Sequence, residues 1–295
     1  MYHCGDLTPK QRAEWLVSLP TLAWLALFLV IPAALIFVLA FRPADPYGGI
    51  GAGWTLETVR ALWAPSNLAI AVRTLWISLL TTAVCLVLAV PAGYTIARAS
   101  EKWRNRLLML VIVPFWTSFL VRVFAWRSLL HPEGPVKALL QAAGLAGPET
   151  TLLYNPAAVV LVMVYTFLPF TILPIYAAAE KFDFRIVEAA RDLGARPFQA
   201  FRKVFLPGIS QGLLTAFLVV FIPALGSYII PDLVGGPSGE MLGSKIAQRV
   251  FTDRNLPHAS ALSAVLVLAV MAPLVAVLAL QRKKKRADII MGESP

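Results

Sequence analysis

Six long apolar segments constrain this chain more than any other feature of its sequence. They cover residues 15–41, 74–97, 107–126, 156–178, 206–230 and 259–280. Each is close to or longer than the ~20 residues that an α-helix needs to cross the hydrocarbon core of a bilayer. Charged residues make up only 14% of the 295-residue chain, against about a quarter in soluble domains. We therefore predict an all-α integral membrane protein with six transmembrane helices.

Basic residues are distributed unequally between the segments that flank these spans. The amino terminus, residues 98–106, residues 179–205 and the carboxy-terminal tail hold 17 Lys and Arg, whereas 42–70, 127–155 and 231–258 hold 7. Cytoplasmic segments of membrane proteins carry the excess of Lys and Arg. The distribution predicts that both termini are cytoplasmic. It also predicts a cytoplasmic amino-terminal segment (1–14), a six-span domain (15–281) and a basic cytoplasmic tail (282–295) that contacts lipid headgroups.

One charged segment lies between two apolar ones and is a candidate for a partner surface. From Glu180 to Lys203 there are six basic and four acidic side chains, whereas 156–178 and 206–231 have none. Helical spacing predicts one apolar face and one exposed, charged face for a partner. The apolar face comprises Phe182, Ile186, Ala189 and Leu193; the exposed face comprises Glu188, Arg191, Asp192 and Ala195. Gly194 is predicted to end this helix and Pro197 to begin the next. From the residues alone, a solvated loop and a docking loop are equally compatible with this pattern.

The motifs of enzymes and of metal-binding proteins do not occur in the sequence. It contains no G-x-x-x-x-G-K-[ST] phosphate-binding loop and no G-x-S-x-G nucleophile motif. His3, His131 and His258 lack the spacing of metal ligands, and Cys4 and Cys85 lie far apart. We therefore predict no catalytic residue and no metal site. A transporter that works alone by ion coupling usually needs acidic side chains inside its spans. No acidic side chain lies inside the predicted spans. An ion-coupled carrier is therefore kept only as an alternative, and a membrane enzyme ranks after it.

The charged segment is similar to the EAA loop of the membrane subunits of bacterial ABC importers. The matching residues are Glu188-Ala189-Ala190, Gly194 and Leu206-Pro207, with Val204 where that loop usually has Ile. The resemblance implies the type I ABC importer permease fold and a coupling loop, 179–207, that docks on a separate ATPase subunit. The residues that it assigns to coupling are Glu188, Ala189, Ala190, Arg191, Asp192, Gly194, Leu206 and Pro207. ATP and Mg²⁺ are expected on the ATPase, so no cofactor is expected on this chain.

Three stretches resemble the permeases of the spermidine/putrescine type more closely, namely 114–126, 188–195 and 223–236. The long amino-terminal region and Thr55-Leu56-Glu57 resemble the first of the two permeases that such importers use. The resemblance implies a subunit of the bacterial inner membrane that works with a sister permease, two ATPase subunits and an extracytoplasmic binding protein. A polyamine is the expected solute. Opines, iron and other small solutes, which related importers carry, stay open as alternatives.

Five residues are candidates for the substrate path, namely Trp116, Arg122, Phe124, Tyr228 and Asp232. The aromatic rings, together with Trp126, are candidates for a wall that attracts a cationic amine through cation–π interactions. For Trp126 the alternative is the aromatic belt of the membrane interface. Arg122 either gates the path or pairs with a carbonyl at a helix end. Asp232 either meets an ammonium group at the outer mouth or caps the next short helix.

Overall fold

The computed structural model describes residues 18–45 and 47–290, with side chains for all of these except 273 and 276–290. The described part is helical and contains one isolated antiparallel bridge, between Ala44 and Ile50. This confirms the all-α prediction. The predicted segment 1–14 and residues 291–295 of the predicted tail lie outside the described residues. The chain divides into two compact units, Met1–Ala64 with Ile246–Leu268 and Pro65–Lys245 with Ala269–Pro295.

The first unit contains the long helix α1, Ser18–Leu39, and the short helix α2, Glu57–Ala61. The α1 side chains are almost all apolar and exposed, as expected of a helix surrounded by lipid. Between α1 and α2 the chain is held by backbone hydrogen bonds. The Gly49 amide donates to the Arg254 carbonyl at 2.8 Å, and the Gly51 amide donates to the Pro43 carbonyl at 2.8 Å.

The second unit is built around a bundle of three helices, α3, α7 and α10. The helices that follow α2 are α3 (Pro65–Arg98), α4 (Glu101–Ile112), α5 (Phe119–Leu129), α6 (Pro135–Ala142), α7 (Pro156–Glu180), α8 (Arg185–Asp192), α9 (Pro197–Gly208), α10 (Ser210–Leu225), α11 (Leu242–Phe251) and α12 (Leu256–Ile290). Helices α11 and α12 contribute residues to both units. Helix α3 packs along α7, and α10 packs against both.

The bundle has two ends, each with its own apolar cluster. Ile77 of α3 shares one cluster with Val159 of α7, and Ile96 shares the other with Ile175. Helices α3 and α7 therefore run in the same direction. Helix α10 runs the opposite way, because its early residue Ala216 lies in the second cluster. We call the end where α3 and α7 finish and α10 begins the loop end, and the other the far end. Residues 98–106 and 179–205 both lie at the loop end, as the charge distribution requires.

Close approach between α7 and α10 depends on a residue without a side chain. A Cβ at Gly212 would overlap the Cβ of Ala178 and would lie 3.2 Å from the Pro174 carbonyl oxygen. Helices in membranes associate through such small residues, which let their backbones approach. The backbones of α7 and α10 therefore approach closely near the loop end.

Three described helices, α1, α3 and α7, are long and apolar enough to cross a membrane. They correspond to the predicted spans 15–41, 74–97 and 156–178, although α3 begins earlier than predicted, at Pro65. The sixth predicted span, 259–280, lies within α12, and its described apolar helix is Leu256–Ala272.

The third predicted span, 107–126, is not one straight helix. Glu101–Trp116 and Phe119–Leu129 meet at 88°, and Thr117 between them has an extended backbone, φ −79° and ψ 152°. The turn Val113–Trp116 is a 3₁₀-helix that contains Pro114. Proline lacks the amide that would continue the α-helix. The Pro114 carbonyl accepts a hydrogen bond from the Thr117 hydroxyl at 2.8 Å.

The fifth predicted span, 206–230, has different bounds in the structure. Pro197–Gly208 and Ser210–Leu225 meet at 72°, with the break at Ile209. Leu206 and Pro207 therefore belong to α9 and not to the helix that crosses the bundle. At its other end α10 stops at Leu225, where Gly226 follows as the C-cap residue.

Candidate functional site

Two short helices, α8 and α9, form the surface of the loop end. The start of α8 is fixed by Asp183, whose carboxylate accepts the Arg185 amide at 3.0 Å. At its end, the Ala195 amide donates to the Ala190 carbonyl and the Gly194 amide donates to the Arg191 carbonyl. These are the two hydrogen bonds of the Schellman motif. Gly194 has φ +90°, which glycine adopts at low cost. The predicted helix end at Gly194 is thus confirmed.

Helix α9 begins at Pro197, as predicted. Its first turn is fixed by Gln199, whose side-chain oxygen accepts the Arg196 amide at 3.0 Å. The middle of the helix, Phe201–Phe205, widens into a π-helical turn. Leu206 and Pro207 lie in the last turn, and Gly208 touches the ring of Phe182. These two coupling candidates therefore join α9 to the bundle and do not lie at the tip of the loop.

The sequence prediction of which α8 face is buried was wrong. Val187 is buried and Ala190 is half-buried, whereas Ile186 is 53% exposed and Leu193 is 90% exposed. Ala195, predicted to be exposed, is half-buried. Helical residues follow one another at about 100°, so the α8 region has three faces. One is buried (Phe184, Val187, Ala190), one is apolar and exposed (Ile186, Ala189, Leu193), and one is charged (Arg185, Glu188, Asp192).

The next helix begins with another exposed apolar side chain. Phe198, in the first turn of α9, is 71% exposed. We call Ile186, Ala189, Leu193 and Phe198 the apolar stripe. Exposed side chains of this size are unusual on the polar surface of a protein unless a partner covers them.

An aromatic cluster beneath α8 and α9 holds both helices on the bundle. It comprises Tyr94, Phe182, Phe184, Phe201 and Phe205. The Tyr94 ring meets three phenylalanine rings edge-on, at centroid distances of 5.6, 5.3 and 4.8 Å. Phe205 is completely buried. Sequence reasoning missed this cluster. The signal was the four phenylalanines that flank the charged helix in an otherwise polar segment.

Two ion pairs connect the same segment to α3 and α4. Arg98 Nη2 lies 3.8 Å from Glu188 Oε1, and Arg104 Nη1 lies 3.1 Å from Glu180 Oε1. Arg98 also donates through Nη1 to the Tyr94 hydroxyl at 2.7 Å. Glu188, assigned by resemblance to a partner-facing role, therefore already has an intramolecular partner.

The aromatic candidates for the substrate path are exposed but are not gathered. Trp116 is 77% exposed, Phe124 is 50% exposed and Tyr228 is 47% exposed. Within 18–45 and 47–290, no ring contact joins any two of these three. Trp126 is half-buried and meets the Tyr165 ring at 5.3 Å. It packs against the apolar cluster of the far end.

Arg122 contacts an aromatic ring and does not pair with a helix-end carbonyl. Its Cζ lies 4.2 Å from the centroid of the Phe115 ring. Its Nε and Nη1 atoms are buried and have no hydrogen-bond partner among the described residues. The guanidinium thus lies across the bend between Trp116 and Phe119.

Asp232 is exposed near the far end. It lies in the helical turn Pro231–Gly235, whose N-cap residue is Ile230, so the predicted capping role is wrong. Its backbone amide donates to the Tyr228 carbonyl at 3.1 Å. No hydrogen bond or ion pair of its carboxylate is found in the described part of the chain. The described residues also contain no group of three or more His, Cys, Asp or Glu that could hold a metal ion.

Comparisons with known proteins connect this geometry to a family of transport proteins. The family model "Binding-protein-dependent transport system inner membrane component" matches residues 89–285, a range that includes α8, α9 and the three-helix bundle from Ala89 onward.

Two curated relatives are similar over most of their length. The chain is 34% identical over 241 residues to the spermidine/putrescine transport system permease protein PotB of Haemophilus influenzae, which covers 82% of this chain and 84% of that protein. It is 32% identical over 245 residues to the protein of the same name from Escherichia coli K12, with 83% and 89% covered.

The fold is also that of a solved transporter. A chain of the bacterial alginate ABC transporter, solved in complex with alginate pentasaccharide-bound periplasmic protein, matches with a TM-score of 0.71 and 17% identity. The match covers 93% of this chain and 95% of that chain. At this identity the likeness concerns the fold alone.

Proposed function

The chain belongs to the family of binding-protein-dependent transport system inner membrane components, and from that premise we propose that it is the first permease subunit of a bacterial ABC importer for polyamines. Proteins of this family are transport subunits of the inner membrane and not enzymes. Two relatives whose names specify spermidine and putrescine match more than four fifths of the chain, which supports the solute class.

The importer is proposed to contain this subunit, a sister permease, two ATPase subunits and an extracytoplasmic binding protein. The similar alginate transporter was solved with a periplasmic protein, which supports a partner of that kind. ATP and Mg²⁺ belong to the ATPase subunits in this proposal. We also propose six spans, of which the bent pairs Glu101–Leu129 and Pro197–Leu225 form two, and a cytoplasmic position for both termini. The excess of Lys and Arg supports that orientation.

The apolar stripe is the observation that carries the ATPase-coupling part of the proposal. Leu193 and Phe198 are among the most exposed large apolar side chains described, and they lie on a rigid pair of capped helices at the loop end. Burying a Leu or Phe side chain stabilises a complex by about 1.5–3 kcal/mol. Docking of an ATPase groove over the stripe therefore explains why these side chains face outward.

Alternating access follows from this arrangement as the proposed mechanism. Closure of the ATPase pair on ATP displaces α8 and α9. The aromatic cluster joins these helices to α3, and α9 continues through the 72° bend at Ile209 into α10. A displacement of the loop is thus transmitted to two helices of the bundle, which opens one end of the solute path and closes the other.

The experiment that tests coupling places a charge in the stripe. We expect Leu193→Asp to lower retention of the ATPase on the affinity-purified importer at least tenfold, because a charged side chain replaces an apolar one that docking would bury. A tenfold loss corresponds to about 1.4 kcal/mol. The matched control is Leu145→Asp, since Leu145 is 77% exposed but precedes α7, away from the loop end. Equal ATPase retention in both variants would refute docking on the stripe.

A further inference from the structure

Two arginines at the corner between α3 and α4 form ion pairs with the coupling segment at two points. Helix α3 ends at Arg98 and α4 begins at Glu101, so the corner is short. Arg98 pairs with Glu188 at 3.8 Å, and Arg104 pairs with Glu180 at 3.1 Å. The two carboxylates lie at the first turn of α8 and at the last residue of α7. The pairs therefore bracket the stretch of chain that leads into α8.

Arg98 is held in place before it meets Glu188. Its guanidinium donates to the Tyr94 hydroxyl at 2.7 Å, and its Cζ lies 5.6 Å from the ring centroids of both Tyr94 and Phe184. A cation is attracted to the faces of such rings. Because the side chain is already ordered by these contacts, less conformational entropy is lost when the carboxylate binds.

The Arg104–Glu180 pair is the more shielded of the two. The Arg104 side chain is 30% exposed, against 40% for Arg98, and Glu180 is 45% exposed, against 59% for Glu188. Shielding from water strengthens the interaction between opposite charges. The shorter and less exposed pair thus joins α4 to the end of α7, and the longer pair joins the end of α3 to the first turn of α8.

We propose that Arg98 and Arg104 are positioning residues for ATPase coupling, which they serve by holding α8 so that the apolar stripe faces outward. On this view Glu188 also acts inside the subunit, through Arg98. The inference rests on the proposed function, since it deepens the role of the same surface. It adds that ion pairs at the end of the second span and the start of the next helix act together with the aromatic cluster in orienting the stripe.

A charge swap tests the pairing through retention of the ATPase on the affinity-purified importer, a measurement that needs no knowledge of the solute. We expect Arg98→Glu and Glu188→Arg each to lower retention about three- to tenfold, because each places like charges in contact. The double variant Arg98→Glu/Glu188→Arg should return to within about twofold of wild type. The Arg104→Glu/Glu180→Arg set should behave in the same way. Lys102→Glu is the matched control, because Lys102 is exposed on the same corner and has no ion pair among the described residues; it should match wild type.

The outcomes separate the two proposals. Suppose that Leu193→Asp lowers ATPase retention and that the loss in the double variant equals the product of the two single losses. The proposed role of the ion pairs is then refuted, and docking on the stripe stands. If Leu193→Asp has no effect, docking itself fails. Should a charge-reversed chain fail to reach the membrane, the neutral set Arg98→Gln, Glu188→Gln and their combination replaces it. Losses that multiply in that set would also overturn the pairing, since coupled residues are not additive.

Discussion

At the residue scale, the proposal of a cationic solute makes Tyr228 and Asp232, near the far end, the candidates for contact with it. The Tyr228 ring and the Asp232 carboxylate are both exposed, and the two residues lie four positions apart in the sequence. A ring and a carboxylate together suit an ammonium group, which the ring attracts by about 0.5–2 kcal/mol. An anion would be repelled by the same carboxylate. The prediction of a cationic solute can therefore be tested at these two side chains.

We expect Tyr228→Ala and Asp232→Asn each to lower spermidine uptake by reconstituted importer several-fold, since each removes one attraction and leaves others in the path. Radiolabelled spermidine uptake into proteoliposomes measures the effect. Glu149→Gln serves as the control, because Glu149 is an exposed acid in the segment between α6 and α7 and should leave uptake at the wild-type rate. Normal spermidine uptake by both variants would contradict the role of these two side chains in the solute path, and an anion on the binding protein would contradict the polyamine assignment.

Residue-level predictions succeeded where the backbone alone decides and failed where neighbours decide. Gly194 and Pro197 were placed correctly because a positive φ and a fixed φ are properties of the residue itself. The capping role of Asp232 failed because the helical turn begins one residue earlier, at Pro231. The contact that Arg122 makes could not be predicted from the sequence, because the Phe115 ring comes within reach of Arg122 only when the chain bends at Thr117.

At the scale of elements, α8 shows how a periodic pattern can be assigned to the wrong face. The sequence offers two apolar rows, one with Ile186 and Leu193 and one with Phe184 and Val187, and both have helical spacing. Amphipathic periodicity assumes that the apolar row packs inward. Here the row with Phe184 and Val187 packs on the protein's own bundle, and the row with Ile186 and Leu193 is proposed to pack on a partner. The choice depends on the aromatic cluster, whose members Tyr94 and Phe205 are distant in sequence.

The six apolar runs were recognisable from composition, whereas the two bends were not located. A run of apolar residues reports only that a segment avoids water. The break at Ile209 lies within such a run, directly after Pro207 and Gly208. The break at Thr117 follows Pro114, but prolines at Pro169 and Pro174 lie inside the long helix α7 without dividing it. Proline alone therefore does not predict which helix ends.

The contact between α7 and α10 gives a prediction at this scale. We expect Gly212→Leu to lower the thermal unfolding midpoint of the purified permease, because its side chain would overlap Ala178 and force the helices apart. Overpacking of this kind costs about 1–3 kcal/mol. The control is Gly147→Leu, since a Cβ at Gly147 would meet only Thr150 Oγ1, at 3.9 Å. An unchanged midpoint for Gly212→Leu would contradict the tight contact.

For the whole molecule, charge distribution and helix direction give the same division of the chain. The loop end of the bundle holds residues 98–106 and 179–205, which carry ten of the basic side chains that the sequence assigned to the cytoplasm. The parallel direction of α3 and α7 requires an odd number of crossings between them. In the proposed six-span topology, the bent helix pair Glu101–Leu129 supplies that crossing. The sequence could predict that these two segments share one end because charge is counted segment by segment, without knowledge of packing.

Labelling tests the orientation directly. In a chain with Cys4→Ser and Cys85→Ser, we expect a membrane-impermeant maleimide to label Tyr47→Cys in intact spheroplasts and to leave Lys181→Cys unlabelled. Tyr47 is 98% exposed, and Lys181 is exposed at the start of the coupling loop. Both positions should be labelled after the membrane is permeabilised. Equal labelling of the two before permeabilisation would overturn the proposed topology.

The exposed stripe also bears on the life of the subunit before assembly. A permease made in excess of its ATPase would present Leu193 and Phe198 to water, and exposed apolar patches promote aggregation. In cells, chaperones and proteases act on proteins that expose such surfaces. The same side chains that favour docking would thus shorten the lifetime of an orphan subunit. Stoichiometry of the importer would then be enforced by degradation, without any control of synthesis.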